Sequence, residues 1–167
     1  MSISVGGALV TYILSFLKND ILIVSLASWF IAQLTKVVIN LIIEKKFSIE
    51  RLFGDGGMPS GHSATVMALV VMVGWHAGFD SAPFAIAFVL ASVVMHDACG
   101  VRLEAGKHAA SIRELATALN SMMRESSLEI KTENLKKLVG HTPLQVFFGA
   151  FLGLCVSVAY IVIFLVL

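Results

Sequence analysis

Residues 144–167 carry no charged side chain, and a run of that length limits the possible folds more than any other feature. About 20 apolar residues are what an α-helix needs to cross a bilayer. In hydrocarbon every backbone N–H and C=O must be satisfied by the chain itself, and a continuous apolar run does so as a helix. Comparable runs occupy 21–43, where Gln33 and Lys36 are the strongly polar members, 62–78, and 82–95 after a tight turn marked by Asp80 and Pro83. Residues 3–17 are apolar but short for a span, which predicts a tilted short crossing or a re-entrant segment. The chain is 57% hydrophobic and 14% charged, with mean hydropathy +0.89, beyond the range of water-soluble domains of 167 residues. These features predict one all-α domain over 1–167, an integral membrane helix bundle of four to five transmembrane helices plus a cytoplasmic surface helix.

Composition also excludes. A net charge of +1, with basic residues not interleaved with aromatics, argues against a nucleic-acid partner. Cys99 and Cys155 fall at different expected depths and form no Cys-x-x-Cys pair, so neither a disulfide nor a thiolate metal site is implied. The first 17 residues lack the basic start and cleavage site of a signal peptide, and are expected to belong to the mature chain.

Residues 102–140 are charged throughout, yet Ile112, Leu115, Ala116 and Leu119 recur on one helical face. The segment is expected to lie along the membrane surface, with a helix over 111–123 that serves as lid or as interface in a homodimer. A polar connection over 126–134 and a short helix over 135–139, closed by Gly140, should follow. Thr142 and Pro143 have the chemistry of an N-cap and a first-turn residue for the last helix. Threading the runs through a bilayer leaves all twelve Lys and Arg except Lys18 and Lys36 on one face. The positive-inside rule makes that face cytoplasmic, in a bacterial-type inner or plasma membrane.

The same face receives Gly56-Gly57-Met58-Pro59-Ser60-Gly61-His62-Ser63. Pro59 cannot sit inside a regular helix, whereas Ser60 to Ser63 can open one, so the N–H groups of Ser60, Gly61 and His62 are expected to point outward unpaired. A helix dipole, a small Gly61 and a His62 at the rim describe a phosphate-sized pocket, and equally a Gly-rich cap with a surface histidine. The threading brings His62, His96, His108 and His141 to this face and leaves His76 near the other. They could bind zinc with Asp97, but no pair has the i, i+4 spacing of helix-borne ligands, and no metal or other cofactor is expected. Lys36 lies inside its helix, where a charge costs on the order of 2.5 to 3.5 kcal/mol at worst, so its ammonium either snorkels outward or meets an anion held at Ser60 to His62. Asp97 has Arg102 as its nearest cation in sequence, which fits a structural ion pair as well as a catalytic carboxylate.

The runs Ala32-Gln33-x-x-Lys36, Pro59-Ser60-Gly61-His62, His96-Asp97-Ala98-x-Gly100-Val101-Arg102 and Gly140-His141-Thr142-Pro143 resemble the divergent type 2 phosphatidic acid phosphatase family, related to acid phosphatases and vanadium-dependent haloperoxidases. The resemblance implies that Ser60 and Gly61 hold phosphate oxygens and that His62 protonates the leaving alkoxide. The superfamily's Lys-x6-Arg-Pro motif is shortened here to Lys45 or Lys46 followed by Arg51, with Leu52 in place of proline, which leaves Lys36 as a substitute. Its Ser-Arg-x5-His-x3-Asp motif has two partial matches. Arg102-x5-His108 has the spacing but Val101 and Ile112 replace Ser and Asp; His141-x3-Gln145 has the histidine and an amide where the divergent family commonly has an acid. His141 is the favoured nucleophile and His108 the alternative.

The reading that unites these residues is a metal-independent membrane phosphatase for a lipid phosphate, phospholipid or isoprenyl. It would work through a phosphohistidine at the cytoplasmic face, with Lys36, Arg51, Ser60, Gly61 and Arg102 binding phosphate and Asp97 and Gln145 in support. A membrane protein that binds head groups or anions, or scaffolds partners, is the alternative that Gln145 favours. Lys36 within the bilayer also suggests transport of a small anion.

Overall fold

The computed structural model describes residues 5–44, 57–122 and 140–166. They form α1 (Val5–Leu17), α2 (Asp20–Glu44), α3 (Gly61–Ala77), α4 (Ala82–Cys99), α5 (Val101–Met122) and α6 (Pro143–Val166), with no strand among the described residues. Among the described residues three stretches are long and apolar enough to cross a membrane: Asp20–Ile43, Ala82–Met122, which joins α4 and α5, and Pro143–Val166. The expected helix over 62–78 is present as α3, 17 residues or roughly 26 Å at 1.5 Å per residue. It is the middle of the bundle, with α2, α4 and α6 packed around it. The 13 residues of α1 reach only about 20 Å, and its described side chains, from Val10 to Leu17, are exposed. It stands apart from the packed helices.

Helix ends follow local chemistry. The Ser60 side chain caps α3 by accepting from the Ser63 N–H at 3.3 Å, and Ser81 caps α4 by accepting from the Phe84 N–H at 3.2 Å. Thr142 caps α6 through its hydroxyl, which accepts from the Gln145 N–H at 3.4 Å, and Pro143 takes the first helical position as expected. One boundary differs from the expectation. Helix resumes at Val101, directly after a break at Gly100, rather than at 111. The charges of 102–108 suit a helix surface, as the Lys107–Glu104 pair at 2.7 Å and i, i+3 shows. Of its apolar stripe Ala116 is buried, whereas Ile112, Leu115 and Leu119 are exposed. The expected connection at 126–134 and helix at 135–139 lie outside the described residues.

Most large apolar side chains of the spans face outward, and the interior is small and polar. Along α2 the buried residues include Ser25, Ser28, Gln33, Lys36 and Asn40; α3 and α6 add Ser63 and Ser157. The Ser25, Ser28 and Ser157 hydroxyls donate to the carbonyl four residues back in their own helices, at 2.7, 2.8 and 2.9 Å. Lipid is as apolar as leucine, so association relies on close packing of small residues. Val70, Ala87 and Ala91 form the buried apolar seam between α3 and α4. Between α3 and α6 the backbones themselves meet: a Cβ on Gly149 would overlap the Ser60 carbonyl oxygen, and one on Gly153 that of Ala64.

Replacing Gly153 by Leu is therefore expected to destabilise the bundle by more than the ~1–3 kcal/mol of ordinary core overpacking, because the opposing atoms are backbone. Thermal unfolding in detergent should show a large drop for Gly153→Leu and little change for Ala159→Leu, on the exposed face of the same helix.

Candidate active site

The close approach of α6 to α3 sets two histidines side by side. His62 is the second residue of α3, and His141 lies two residues before α6 begins. Their ring centroids are 6.3 Å apart with planes tilted by 53°. The end of α4 closes the third side. The His141 N–H donates to the Ala98 carbonyl at 3.1 Å, and the Ser60 N–H donates to the Gln145 carbonyl at 3.0 Å. Gly140 makes the approach possible: its φ is +144°, and a Cβ there would stand 2.5 Å from the Leu103 nitrogen.

The result is a cavity of about 180 Å³, lined by His62, Val93, Val94, Asp97, Ala98, Arg102, Gly140 and His141. Three stretches distant in sequence converge on it: the first turn of α3, the last turns of α4 with the first of α5, and the residues before α6. His141 is 3% exposed, so its ring sits at the base of the cavity, while His62 stands exposed at the rim.

Gln145 organises this base. Its Oε1 lies 3.3 Å from His141 Nδ1 and accepts from the Thr142 N–H at 3.1 Å. An amide oxygen in that position favours the tautomer with the proton on Nδ1, which puts the imidazole lone pair on Nε2. Arg102 Nε donates to Asp97 Oδ2 at 2.5 Å, so Asp97 forms the ion pair and holds the guanidinium at the cavity wall. This pair is half exposed, and it positions a cation more than it stabilises the fold.

The other expected residues lie elsewhere. Ser60 is fully buried, with its hydroxyl 3.0 Å from that of Ser63. Its N–H, expected to point outward, is taken by Gln145, a correction that follows from the packing of α6 onto this turn. Gly61 is buried against α2, where a Cβ would meet Trp29 Cδ1 at 3.1 Å. Lys36 is 6% exposed and faces the bundle interior, its Cδ 3.9 Å from where Gly57 would carry a Cβ. Snorkelling toward solvent is thereby set aside, and Lys36 is not among the residues that line the cavity. His96 is exposed at the end of α4, and His108 lies on an exposed face of α5, six residues beyond Arg102 and outside the lining. Arg51, with Lys45 and Lys46, lies outside the described residues. His76 pairs with Asp20 across the opposite end, Nε2 to Oδ2 at 2.8 Å. Among the described residues no group of three or more His, Cys, Asp and Glu is arranged to hold a metal.

Sequence reasoning missed the apolar wall of Val93, Val94 and Ala98, and the link from Gln145 to Ser60 of the Pro59-Ser60-Gly61-His62 run. Its only signal was Gly140 directly before His141, a glycine that a helix terminus alone does not require.

The chain was compared with known proteins. The model of the Divergent PAP2 family matches residues 17–156, the stretch from the end of α1 into α6. The uncharacterized membrane protein YuiD of Bacillus subtilis (strain 168) is 37% identical over 150 residues, which cover 86% of this chain and 95% of that one. No solved structure matches. The match covers α2 to α5, the first part of α6 and all the residues of the cavity, and the chain belongs to the Divergent PAP2 family.

Proposed function

We propose that the protein is an integral membrane phosphatase that hydrolyses a lipid phosphomonoester through a phosphohistidine, with its site at the cytoplasmic face. The observation that carries this reading is the convergence of His62, His141 and Arg102 on one cavity. A centroid spacing of 6.3 Å leaves room for one tetrahedral group within reach of both rings. The apolar wall from α4 continues into exposed Val93 and suits a substrate whose chain remains in the bilayer.

In the first step His141 Nε2 attacks phosphorus, the P–O bond to the alcohol breaks, and protonated His62 delivers its proton to the departing oxygen. Gln145 holds the Nδ1–H as the ring becomes positive. Arg102, fixed by Asp97, offers its Nη groups to the equatorial oxygens, where charge spreads in a loose phosphoryl transition state. In the second step neutral His62 takes a proton from water, which attacks the phosphohistidine and returns His141 with inorganic phosphate. Lys36 and Arg51 belong to the same reading as further phosphate cations, and Ser60 as the cap that shapes the turn. A second reading, binding of lipid phosphate without turnover, is favoured by one feature: Gln145 is neutral, and an amide orients an imidazole without offsetting its developing charge.

His141→Ala is expected to abolish phosphate release from a lipid phosphomonoester and also the acid-labile 32P label on the protein. His62→Ala should slow turnover by about 10²–10⁴-fold, the usual weight of a general acid, and His108→Ala should leave it within twofold. Unchanged release after both His62→Ala and His141→Ala removes the phosphatase reading.

The rate should follow a bell in pH, since His141 attacks as the neutral ring and His62 starts as the cation. In steady-state profiles of His62→Ala the alkaline limb should flatten while the acidic one persists.

A further inference from the structure

The α2 side of the α3 N-terminus is built differently from the cavity side. Gln33 is 5% exposed, and its Oε1 is a buried oxygen without a hydrogen-bond partner among the described residues. A buried acceptor left unmatched loses its water with no return, and a bundle surrounded by lipid offers no solvent to relieve it. The buried serines of the same helix are satisfied by their own backbone, which makes Gln33 the exception. Its position is specific. The Gln33 Cδ lies 3.8 Å from where Gly61 would carry a Cβ, and the Trp29 indole closes the same space at 3.1 Å.

Gly61 and His62 open α3, so their N–H groups have no intrahelical acceptor, whereas the Ser60 and Ser63 N–H groups are taken by Gln145 and by the Ser60 hydroxyl. A buried acceptor from α2 thus borders the turn whose N–H groups and dipole favour an anion. With the amide oriented as it is, an anion alone would face the acceptor end of Gln33. A ligand that also carries an O–H would satisfy it.

We propose that Gln33 accepts a hydrogen bond from an O–H of the ligand held at the α3 N-terminus, so that the site selects a phosphoryl ligand bearing a hydroxylic proton beside its anionic oxygens. The inference rests on the site binding phosphate, but not on turnover. Two sources supply such a proton: a monoprotonated phosphoryl group, or a hydroxyl on the head group next to the phosphoester. A site with a buried acceptor discriminates against ligands that lack the donor, because binding them leaves the acceptor unpaired.

The test titrates the full-length protein in lipid nanodiscs with three probes: inorganic phosphate, a diacyl lipid with a glycerol phosphate head group, and its analogue with hydrogen in place of the free hydroxyl. Gln33→Leu is expected to unfold at a higher temperature, since an unsatisfied acceptor is removed, and to bind its preferred probe at least tenfold more weakly. If the proton belongs to phosphate, wild-type affinity for inorganic phosphate falls as pH rises through the second ionisation of phosphate, and the variant lacks that dependence. Lys36 on α2, and His62, His141, Asp97 and Arg102 across α3, are common to both proteins, so the difference isolates residue 33. If the proton belongs to the head group, phosphate binds both proteins alike, while the wild type prefers the hydroxylated lipid at least tenfold and the variant does not. Gln33→Met gives the same readouts should the leucine variant not fold. Folded Gln33→Leu or Gln33→Met with wild-type affinity for all three probes overturns the proposal, leaving water as the partner of the amide. A protein that binds as described without releasing phosphate upholds it and removes only the phosphatase reading.

Discussion

The backbone-to-backbone contact of α6 with the first turns of α3 is the constraint on which the rest depends. Gly149 and Gly153 bring α6 against the carbonyl oxygens of Ser60 and Ala64, too close for any side chain. That approach lets the Gln145 carbonyl accept from the Ser60 N–H, and so locks the helix that follows His141 onto the helix that carries His62. In a membrane, where burial of apolar surface gives little drive for helices to associate, small residues at a shared stripe are what make such a contact favourable. Site geometry and fold stability therefore share a cause.

Polar chemistry follows from the same packing. Small residues leave little room between α2, α3 and α6, and the polar groups buried there are short, backbone-bonded serines together with Gln33, Lys36 and Asn40. Lys36 is one of these buried groups, and a charge inside a membrane helix is costly unless its surroundings compensate it. The Arg102–Asp97 pair at the cavity wall adds a second cation in a more solvated place. Lys36 beside Gly57 and Arg102 in the cavity lining thus add to the charge of a helix N-terminus whose own dipole has the same sign, which suits an anion.

Much of this was legible in the sequence. The apolar runs gave α2, α3 and α6 to within a residue or two, because a membrane helix must satisfy its backbone internally and its length is fixed by the bilayer. Thr142 and Pro143 marked the start of α6 through cap chemistry that acts locally. The meeting of His62 with His141 was legible only as a shared face, since residues at helix ends on one side of a membrane lie anywhere within the bundle's width. His108, on the same face by that argument, sits outside the cavity because helix continues from Val101 and carries it six residues beyond Arg102. Ser60 was misjudged for a comparable reason. Its N–H is open in an isolated helix, and only the approach of α6, encoded in two glycines far along the chain, closes it.

The proposed chemistry requires the histidines of two separate motifs to address one phosphorus atom. An experimental structure with bound orthovanadate, which adopts the five-coordinate geometry of phosphoryl transfer, decides whether they do. Vanadium is expected bonded to His141 Nε2, with the His62 ring at hydrogen-bond distance from the apical oxygen opposite and Arg102 on an equatorial one. Vanadium bonded to His108, or held where His62 and His141 do not both reach it, would contradict the claim.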